Sequence, residues 1–327
     1  MSVLSVPSTD LLRIDAAAET DRIGLAVREI VLSQFRRKGA VVAVSGGIDS
    51  AVVAALCARA LGPDKVIALL LPEADSSEES LRLGQSLVEK LGIRSFCEDI
   101  TPMLTAAGCY RRRNDAIRTA VPEYGQGYKS KIVLPNLLDA DRYPIFSLVV
   151  QSPEGDTKKI RLSLDAYLGI VAATNFKQRT RKMMEYYYAD RFHYAVAGTP
   201  NRLEYDQGFF VKNGDGAADF KPIAHLYKTQ VYQLAAYLGV PEEIQRRPST
   251  TDTYSLEQSQ EEFYFSIPLA KMDLCLYGKD HQIAASDLAP SVGMPEEQVT
   301  RVYDMIESKR KSTHYLGMPP VLACPLE

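Results

Sequence analysis

The residues of this 327-residue chain whose types and spacing best suit chemistry are six consecutive ones, Ser45-Gly46-Gly47-Ile48-Asp49-Ser50. Small residues at the end of a strand let backbone N–H groups approach a phosphate, and the amino end of a following helix favours negative charge. No Walker A lysine follows the glycines, and a plain tight turn between a strand and a helix is the alternative. Asp49 favours phosphate binding, because a carboxylate beside a phosphate is useful chiefly when Mg²⁺ lies between them.

The elements that must position this loop follow an alternating pattern. Apolar residues at helical spacing predict helices over residues 20–37 and 50–61, and Ser76 and Glu79 have the spacing of a capping box for a helix that runs to residue 91. Short apolar runs predict buried strands, at 40–44, 66–71 and 96–100. This order favours an α/β fold with a right-handed, doubly wound parallel sheet.

The rest of the chain is predicted to be one insertion followed by a return to helices. Residues 110–163 contain several prolines and glycines without a sustained helical period, and residues 145–151 and 158–163 predict a β-hairpin. Beyond them the pattern predicts helices at 164–190, 222–239, about 268–277 and about 295–310, and a strand at 193–197. We therefore expect a single domain over 1–327, with a core at 20–109 and 164–255, an insertion at 110–163 and a small helical C-terminal region at 256–327.

Composition excludes several classes of protein. With 46% hydrophobic and 24% charged residues and a net charge of −3, the chain is neither disordered nor a general nucleic-acid binder. No apolar run has the ~18 residues of a membrane span, and the acidic first residues do not look like a signal peptide, so we expect a cytoplasmic protein. Five scattered cysteines and four isolated histidines predict neither a disulfide framework nor a zinc site, and Cys57 and Cys97 are expected to be buried.

The segment VVAVSGGIDS, residues 41–50, resembles the signature of the N-type ATP pyrophosphatases, which split ATP between its α and β phosphates and transfer AMP. Other segments resemble those of the ammonia-dependent NAD synthetases, in the order of that family, between about 40 and 255. They are Asn175-Phe-Lys-Gln-Arg179-Thr-Arg181 (NxKARxR), Gly198-Thr199-Pro-Asn-Arg-Leu-Glu204 (GTxxxxE), residues 208–219 (GxFTKYGDGxAD), residues 226–230 (LxKxQ) and residues 248–252 (PxADL). The resemblance implies that this family also splits ATP between its α and β phosphates, as the N-type ATP pyrophosphatases do.

The resemblance implies a role for each matching residue. The pyrophosphate half of ATP would be held by Ser45, Gly46, Gly47 and Ser50. Mg²⁺ would bind Asp49 and Glu204, which with Lys228 form the catalytic set. Further contacts to ATP would come from Thr199, Lys228 and Thr250. The deamido-NAD site would be lined by Asn175, Arg179, Lys212, Asp215 and Asp219.

Four features depart from the family pattern. Asn213 replaces the tyrosine of the family's YGDG, and Gln260 replaces the aspartate of its QxDE segment. The C-terminal HKR segment reads His314-Tyr315-Leu316, and the insertion at 110–163 is longer than expected. All four concern the substrate side and leave the ATP loop unchanged.

Taken one at a time, the same residues have structural alternatives. The basic run 177–182 is typical of a solvated helix face. An aspartate between two glycines, such as Asp215, is typical of a turn, and Glu204 by itself is typical of a surface acid. The tyrosines at 186–188 suit packing or an interface. Residues 111–113, three arginines, suit an exposed helix face that could reach an anionic substrate.

The reaction that the resemblance implies starts with ATP and deamido-NAD. The nicotinate carboxylate attacks the α-phosphate and releases pyrophosphate, and ammonia then converts the acyl-adenylate into NAD and AMP. A carboxylate is already a nucleophile, so the first step needs no serine, cysteine or histidine pair. We find no glutaminase segments, so ammonia would be free or supplied by a separate partner, and the family implies a homodimer with no nucleic-acid or membrane partner. The alternatives are a paralogous AMP-forming ligase for another carboxylic acid and a non-catalytic nucleotide-binding regulator.

Overall fold

Two sheets organise the chain in the computed structural model, which describes residues 9–133, 146–250 and 253–324. Their strands are β1 (Ala40–Ala43), β2 (Val66–Leu70), β3 (Arg94–Cys97), β4 (Lys129–Val133), β5 (Ser147–Gln151), β6 (Thr157–Arg161) and β7 (Ala195–Val196). The larger sheet is parallel, in the order β3-β2-β1-β7, and Ala40 of β1 pairs with Val66 on one side and Ala195 on the other. The parallel α/β sheet expected from the sequence is confirmed. All four strands of this sheet are shorter than expected, and β3 begins two residues earlier.

Helices cover both faces of this sheet. The α-helices of the described residues are α1 (Ala16–Arg28), α2 (Ile48–Leu61), α3 (Glu78–Leu91), α4 (Thr101–Ala106), α5 (Cys109–Arg118), α6 (Leu164–Phe192), α7 (Arg202–Gln207), α8 (Lys228–Tyr237), α9 (Glu242–Arg246), α10 (Leu269–Asp280), α11 (Ala285–Val292) and α12 (Glu296–Gly317). Val42 faces the cluster that includes α1, α2 and α8, whereas Val41 faces the cluster that includes α4 and α6. This alternation explains why β1 is apolar at every position.

Several boundaries differ from the sequence expectations. α1 ends at Arg28 and continues as a π-helical turn over Glu29–Gln34. The N-cap of α3 is Ser77, whose hydroxyl accepts from the Ser80 N–H at 3.1 Å, so the capping box predicted at Ser76 is wrong. α8 begins at Lys228 rather than near 222, and the sequence did not predict α11. Cys97 is exposed, whereas Cys57 is buried as expected.

The insertion carries the second sheet. β5 pairs with β4 and β6 in antiparallel fashion, which confirms the hairpin between β5 and β6; residue 145 of the predicted first strand lies outside the described residues. The sequence predicted neither β4 nor α5, which packs along α6. Of the three consecutive arginines at 111–113, Arg111 and Arg112 are exposed and Arg113 is buried, so the exposed-face interpretation is wrong for Arg113.

None of the helices in the described part of the chain has both the length and the apolar character needed to cross a bilayer.

Candidate active site

A cavity of about 1340 Å³ lies at the carboxyl ends of the parallel strands. Ser45 and Gly47 follow β1, Leu71 follows β2, and Thr199 follows β7, and all of them line it. Ligands of open α/β sheets bind at this edge, because the loops and helix amino ends that follow the strands converge there. The cavity therefore lies beside the loop that the sequence predicts to bind a nucleotide.

The loop from residue 45 to 50 is held by its own serines. The Ser50 hydroxyl donates to the Gly47 carbonyl at 3.0 Å and accepts from the Ser45 N–H at 3.2 Å. Gly46 has φ +76°, and a Cβ there would lie 2.4 Å from the Ser80 carbonyl oxygen, so only glycine fits. None of the described side chains caps the amino end of α2, so its N–H groups are available to an anion.

Three predicted catalytic side chains meet beside this loop. Lys228 at the start of α8 donates from Nζ to Asp49 Oδ2, and Asn201 Nδ2 donates to Asp49 Oδ1 at 2.9 Å. Asn201 also forms a capping box with Glu204 at the start of α7, with reciprocal hydrogen bonds of 3.1 and 3.2 Å. Gln260 Nε2 donates to the other Glu204 oxygen at 2.8 Å. One asparagine therefore holds both carboxylates in position.

The carboxylate of Asp49 affects the pKa values of both Glu204 and Lys228. Burial and the neighbouring charge of Asp49 raise the pKa of Glu204 well above the usual range of a glutamate. Burial alone would lower the pKa of Lys228, but the carboxylates of Asp49 and Glu204 outweigh burial and raise it. Glu204 is only 9% exposed, so the surface-acid interpretation is wrong.

The donor set fits Mg²⁺ bound together with a nucleotide. In the described ranges, no group of three or more His, Cys, Asp or Glu residues could hold a metal by itself. Mg²⁺ usually binds one or two carboxylates and takes its other ligands from water and phosphate oxygens. Asp49 and Glu204 supply two such carboxylates, and the buried Gln260 Oε1 beside Glu204 has no hydrogen-bond partner in the part of the chain that the structure describes.

The residues predicted to line the dinucleotide site differ in what they do. Asn175, Arg179, Lys212 and Asp215 all line the cavity. Arg179 Nε donates to the Lys212 carbonyl at 3.2 Å, whereas the Asp215 carboxylate accepts from the Val211 N–H at 2.7 Å and so closes its own loop. Burial raises the pKa of Asp215.

Three other predicted residues are not part of the cavity wall. Asp219 accepts from the Val196 N–H at 2.8 Å and from the Tyr186 hydroxyl at 3.2 Å, which makes it a brace behind β7. Gly46 lies against Ser80, and among the described residues the Nζ of Lys228 donates to Asp49. Thr199 and Thr250 line the cavity as expected, while Thr251 and Asp252 of the matching segment lie outside the described residues.

Sequence reasoning missed several cavity residues and misread others. Arg247 donates to the Ser80 hydroxyl at 2.9 Å, Phe146 of the insertion stacks on Tyr167 with 3.9 Å between ring centroids, and Lys309 lies on α12. No motif marks these positions, because each reaches the cavity through the packing of distant elements. Lys177 and Lys182 are buried with carboxylate partners, so the solvated-face interpretation of the basic run is wrong for both.

The parallel α/β fold, the open amino end of α2 and the paired carboxylates define a nucleotide-binding protein of the phosphate-loop kind without a Walker lysine. The NAD synthase family model matches residues 20–120 and 157–319. The chain belongs to the NAD synthase family. It is 59% identical over 313 residues to an NH(3)-dependent NAD(+) synthetase of Mesorhizobium japonicum, covering 96% of this chain and 98% of that one. With one of Rhizobium meliloti it shares 58% identity, covering 98% of this chain and 96% of the relative.

Solved structures share the fold at lower identity. The NH3-dependent NAD synthetase of Campylobacter jejuni, in complex with the nitrate ion, matches with a TM-score of 0.61 and 23% identity, over 94% of this chain and 100% of that one. The NMN synthetase of Francisella tularensis matches with a TM-score of 0.60 and 20% identity, over 95% of this chain and 99% of that one. At these identities the likeness concerns the fold alone.

Proposed function

We propose that this member of the NAD synthase family, a ligase of NAD biosynthesis, converts deamido-NAD to NAD with ATP and ammonia and releases AMP and pyrophosphate. One observation carries the proposal: Asp49, Glu204 and Lys228 meet beside the open amino end of α2. An anion that binds at α2 has the two carboxylates and the lysine at its side. The cavity of about 1340 Å³ exceeds the roughly 300–1,000 Å³ of an ordinary single-ligand pocket, which suits two nucleotides bound together.

The first step needs orientation and charge stabilisation rather than a protein base. The substrate carboxylate forms a bond to the α-phosphorus, the bond to the bridging oxygen breaks, and pyrophosphate leaves with that electron pair. Donors that point at the developing charge supply most of the rate enhancement in such reactions. The N–H groups of α2 and the loop at 45–50 take this role.

The second step joins ammonia to the activated carbonyl. A C–N bond forms, the carbonyl–oxygen bond to AMP breaks, and nitrogen loses a proton. We propose that Asn175, Arg179 and Lys212 orient the dinucleotide on the wall formed by α6 and the loop after α7. Free ammonia, or ammonia from a separate partner, is the nitrogen source.

Mg²⁺ is the proposed metal, with Asp49 and Glu204 as its protein ligands. When bound, the ion neutralises charge on the polyphosphate. The neutral donors Asn201 and Gln260 keep both carboxylates oriented, which is what a preorganised site requires. In its absence, Lys228 balances the charge of Asp49.

We further propose a cytoplasmic homodimer formed along α6. Four large apolar side chains of this helix are at least half exposed, and they are Leu164 (72%), Leu168 (53%), Met183 (54%) and Tyr187 (50%). Within each pair the two side chains lie four residues apart and so share one face of the helix, which leaves an exposed apolar patch towards each end of α6. Light scattering should show a dimer for the native chain and a monomer for Leu168→Glu combined with Met183→Glu; a native monomer would contradict the proposal.

The activity assay combines ATP, Mg²⁺, ammonium and deamido-NAD, with AMP, pyrophosphate and NAD followed by phosphorus NMR and chromatography. We expect equal amounts of AMP and NAD, and no turnover when glutamine replaces ammonium. ADP and phosphate as main products would contradict the chemistry. ATP cleavage that deamido-NAD does not stimulate would indicate another acid substrate, and ATP binding without turnover would indicate a regulator.

A further inference from the structure

Lys309 on α12 is half-buried and presents its amine to the cavity. Its Nζ donates to the Tyr264 carbonyl at 2.5 Å and lies 3.7 Å from the centre of the Tyr264 ring and 5.3 Å from that of Phe265. A protonated lysine has three donors. Among the described residues, the carbonyl and the two ring faces are the contacts of this amine, so two donors remain available to a ligand.

The acids around Lys309 have other partners. On α12 itself Glu307 pairs with Arg310, and Arg310 also pairs with Asp206 of α7 and Asp280 of α10. In the turn that carries Tyr264, Glu261 accepts from the Leu269 N–H at 2.8 Å and Glu262 pairs with Lys131. Asp304 is exposed five residues before Lys309, and Arg301 and Lys212 are further charged residues on this wall. Burial without a paired carboxylate lowers the pKa of Lys309 to about 7.

The amine lies on the wall next to the proposed ATP chemistry. Gln260, which holds Glu204, immediately precedes the π-helical turn Glu261–Phe265, and Tyr264 of that turn holds Lys309. Lys309, Asp49 and Glu204 line the same cavity. A buried amine with free donors in a nucleotide cavity has one obvious class of ligand, which is a phosphate oxygen.

We propose that Lys309 binds a phosphate group of a nucleotide in this cavity and takes up a proton from solvent as it does so. The inference rests on the proposed function, because it requires that ATP or deamido-NAD occupy the cavity. A phosphate anion favours the ammonium form and reverses the effect of burial. Because the pKa of Lys309 is lowered to about 7, part of a proton would be taken up when a phosphate binds at pH 7.5.

Titration calorimetry tests this directly. ATP with Mg²⁺ and, separately, deamido-NAD are titrated at pH 7.5 in two buffers with different enthalpies of ionisation, and the number of protons taken up is obtained from the difference. Lys309→Arg stays charged at every pH, so we expect it to bind within a few-fold of the native affinity but without the extra proton. Lys309→Met should lose tenfold or more in affinity for the ligand concerned. Lys311→Met removes an exposed lysine of the same helix and should match the native protein.

The two titrations identify the phosphate. Extra proton uptake with ATP assigns Lys309 to the triphosphate, and uptake with deamido-NAD assigns it to the dinucleotide pyrophosphate. Equal proton numbers for the native chain and Lys309→Arg with both ligands would overturn the proposal, as would native affinity in Lys309→Met. NAD formation by the native chain is measured in parallel, so that a failure of the proposed function is distinguished from a failure of the Lys309 assignment.

Discussion

Lys177 is expected to be the side chain of α6 whose loss most destabilises the cavity wall. Its Nζ lies 2.9 Å from Glu73 Oε1, 2.6 Å from Asp75 Oδ2 and 2.7 Å from the Thr253 carbonyl oxygen, so all three donors are used. The side chains of Lys177 and Glu73 are fully buried. Lys177→Met would remove the cation and leave Asp75 with Arg113, but Glu73 with no cation, only the hydrogen bonds from the Tyr110 hydroxyl and the Asp75 N–H among the described residues.

The magnitude follows from this uncompensated charge. Removing one partner of a buried ion pair costs about 3–5 kcal/mol. At about 2 °C per kcal/mol for a chain of this size, the melting temperature should fall by about 6–10 °C. Burial alone would raise the pKa of Asp75, but Lys177 and Arg113 outweigh it and lower the pKa, so this carboxylate stabilises the fold above pH ~4 and loses that effect in acid. The deficit of Lys177→Met should therefore shrink as the pH falls.

A second variant separates charge from packing. Glu73→Gln combined with Lys177→Met removes the unpaired carboxylate and should recover more than half of the lost melting temperature, because no buried charge is left unpaired. Thermal melts of both variants and of Lys311→Met, which should behave as native, provide the comparison. The reasoning is refuted if Lys177→Met melts within 2 °C of native, or if the double variant is no more stable than the single one.

Three further predictions concern the loop, the metal pair and a buried acid. Asp49→Asn should lower kcat for AMP formation about 100-fold or more, through lost charge stabilisation, and near-native turnover would contradict the metal assignment. Gly46→Ala should lower stability by about 1–3 kcal/mol and raise the KM for ATP, because its Cβ would lie 2.4 Å from the Ser80 carbonyl; a native melting curve would exclude this strain. Burial raises the pKa of Asp273 to about 6, so its contribution to stability is lost as the pH rises through 6. The free energy of unfolding of Asp273→Asn, relative to that of the native chain, should therefore increase by roughly 1–2 kcal/mol from pH 5 to pH 8. Thermal melts across this range check it, and a constant difference in melting temperature between the two proteins would show that Asp273 does not titrate there.

The sequence by itself determined the glycine loop at 45–50, the alternation of strands and helices around it, and the family. These features depend on local patterns: glycines between an apolar strand and a helix, runs that suit a sheet buried on both faces, and motif segments in a fixed order. The hairpin of β5 and β6 has such a pattern, whereas α5 and β4 lie among prolines and glycines that conceal theirs. Residue roles such as those of Asn175 and Thr250 came from the resemblance and remain predictions.

Only the tertiary structure decided which charged residues are buried and what they contact. Glu204 meets Asp49 through Asn201, Asp219 braces β7, and Lys309 reaches the cavity although no motif contains it. Each contact joins elements far apart in the chain. The sequence does not show whether a charged residue is exposed to solvent or buried in an ion pair. The physical reason is that burial of a charge depends on a partner, and the partner is brought close only by the packing of the whole sheet and its helices.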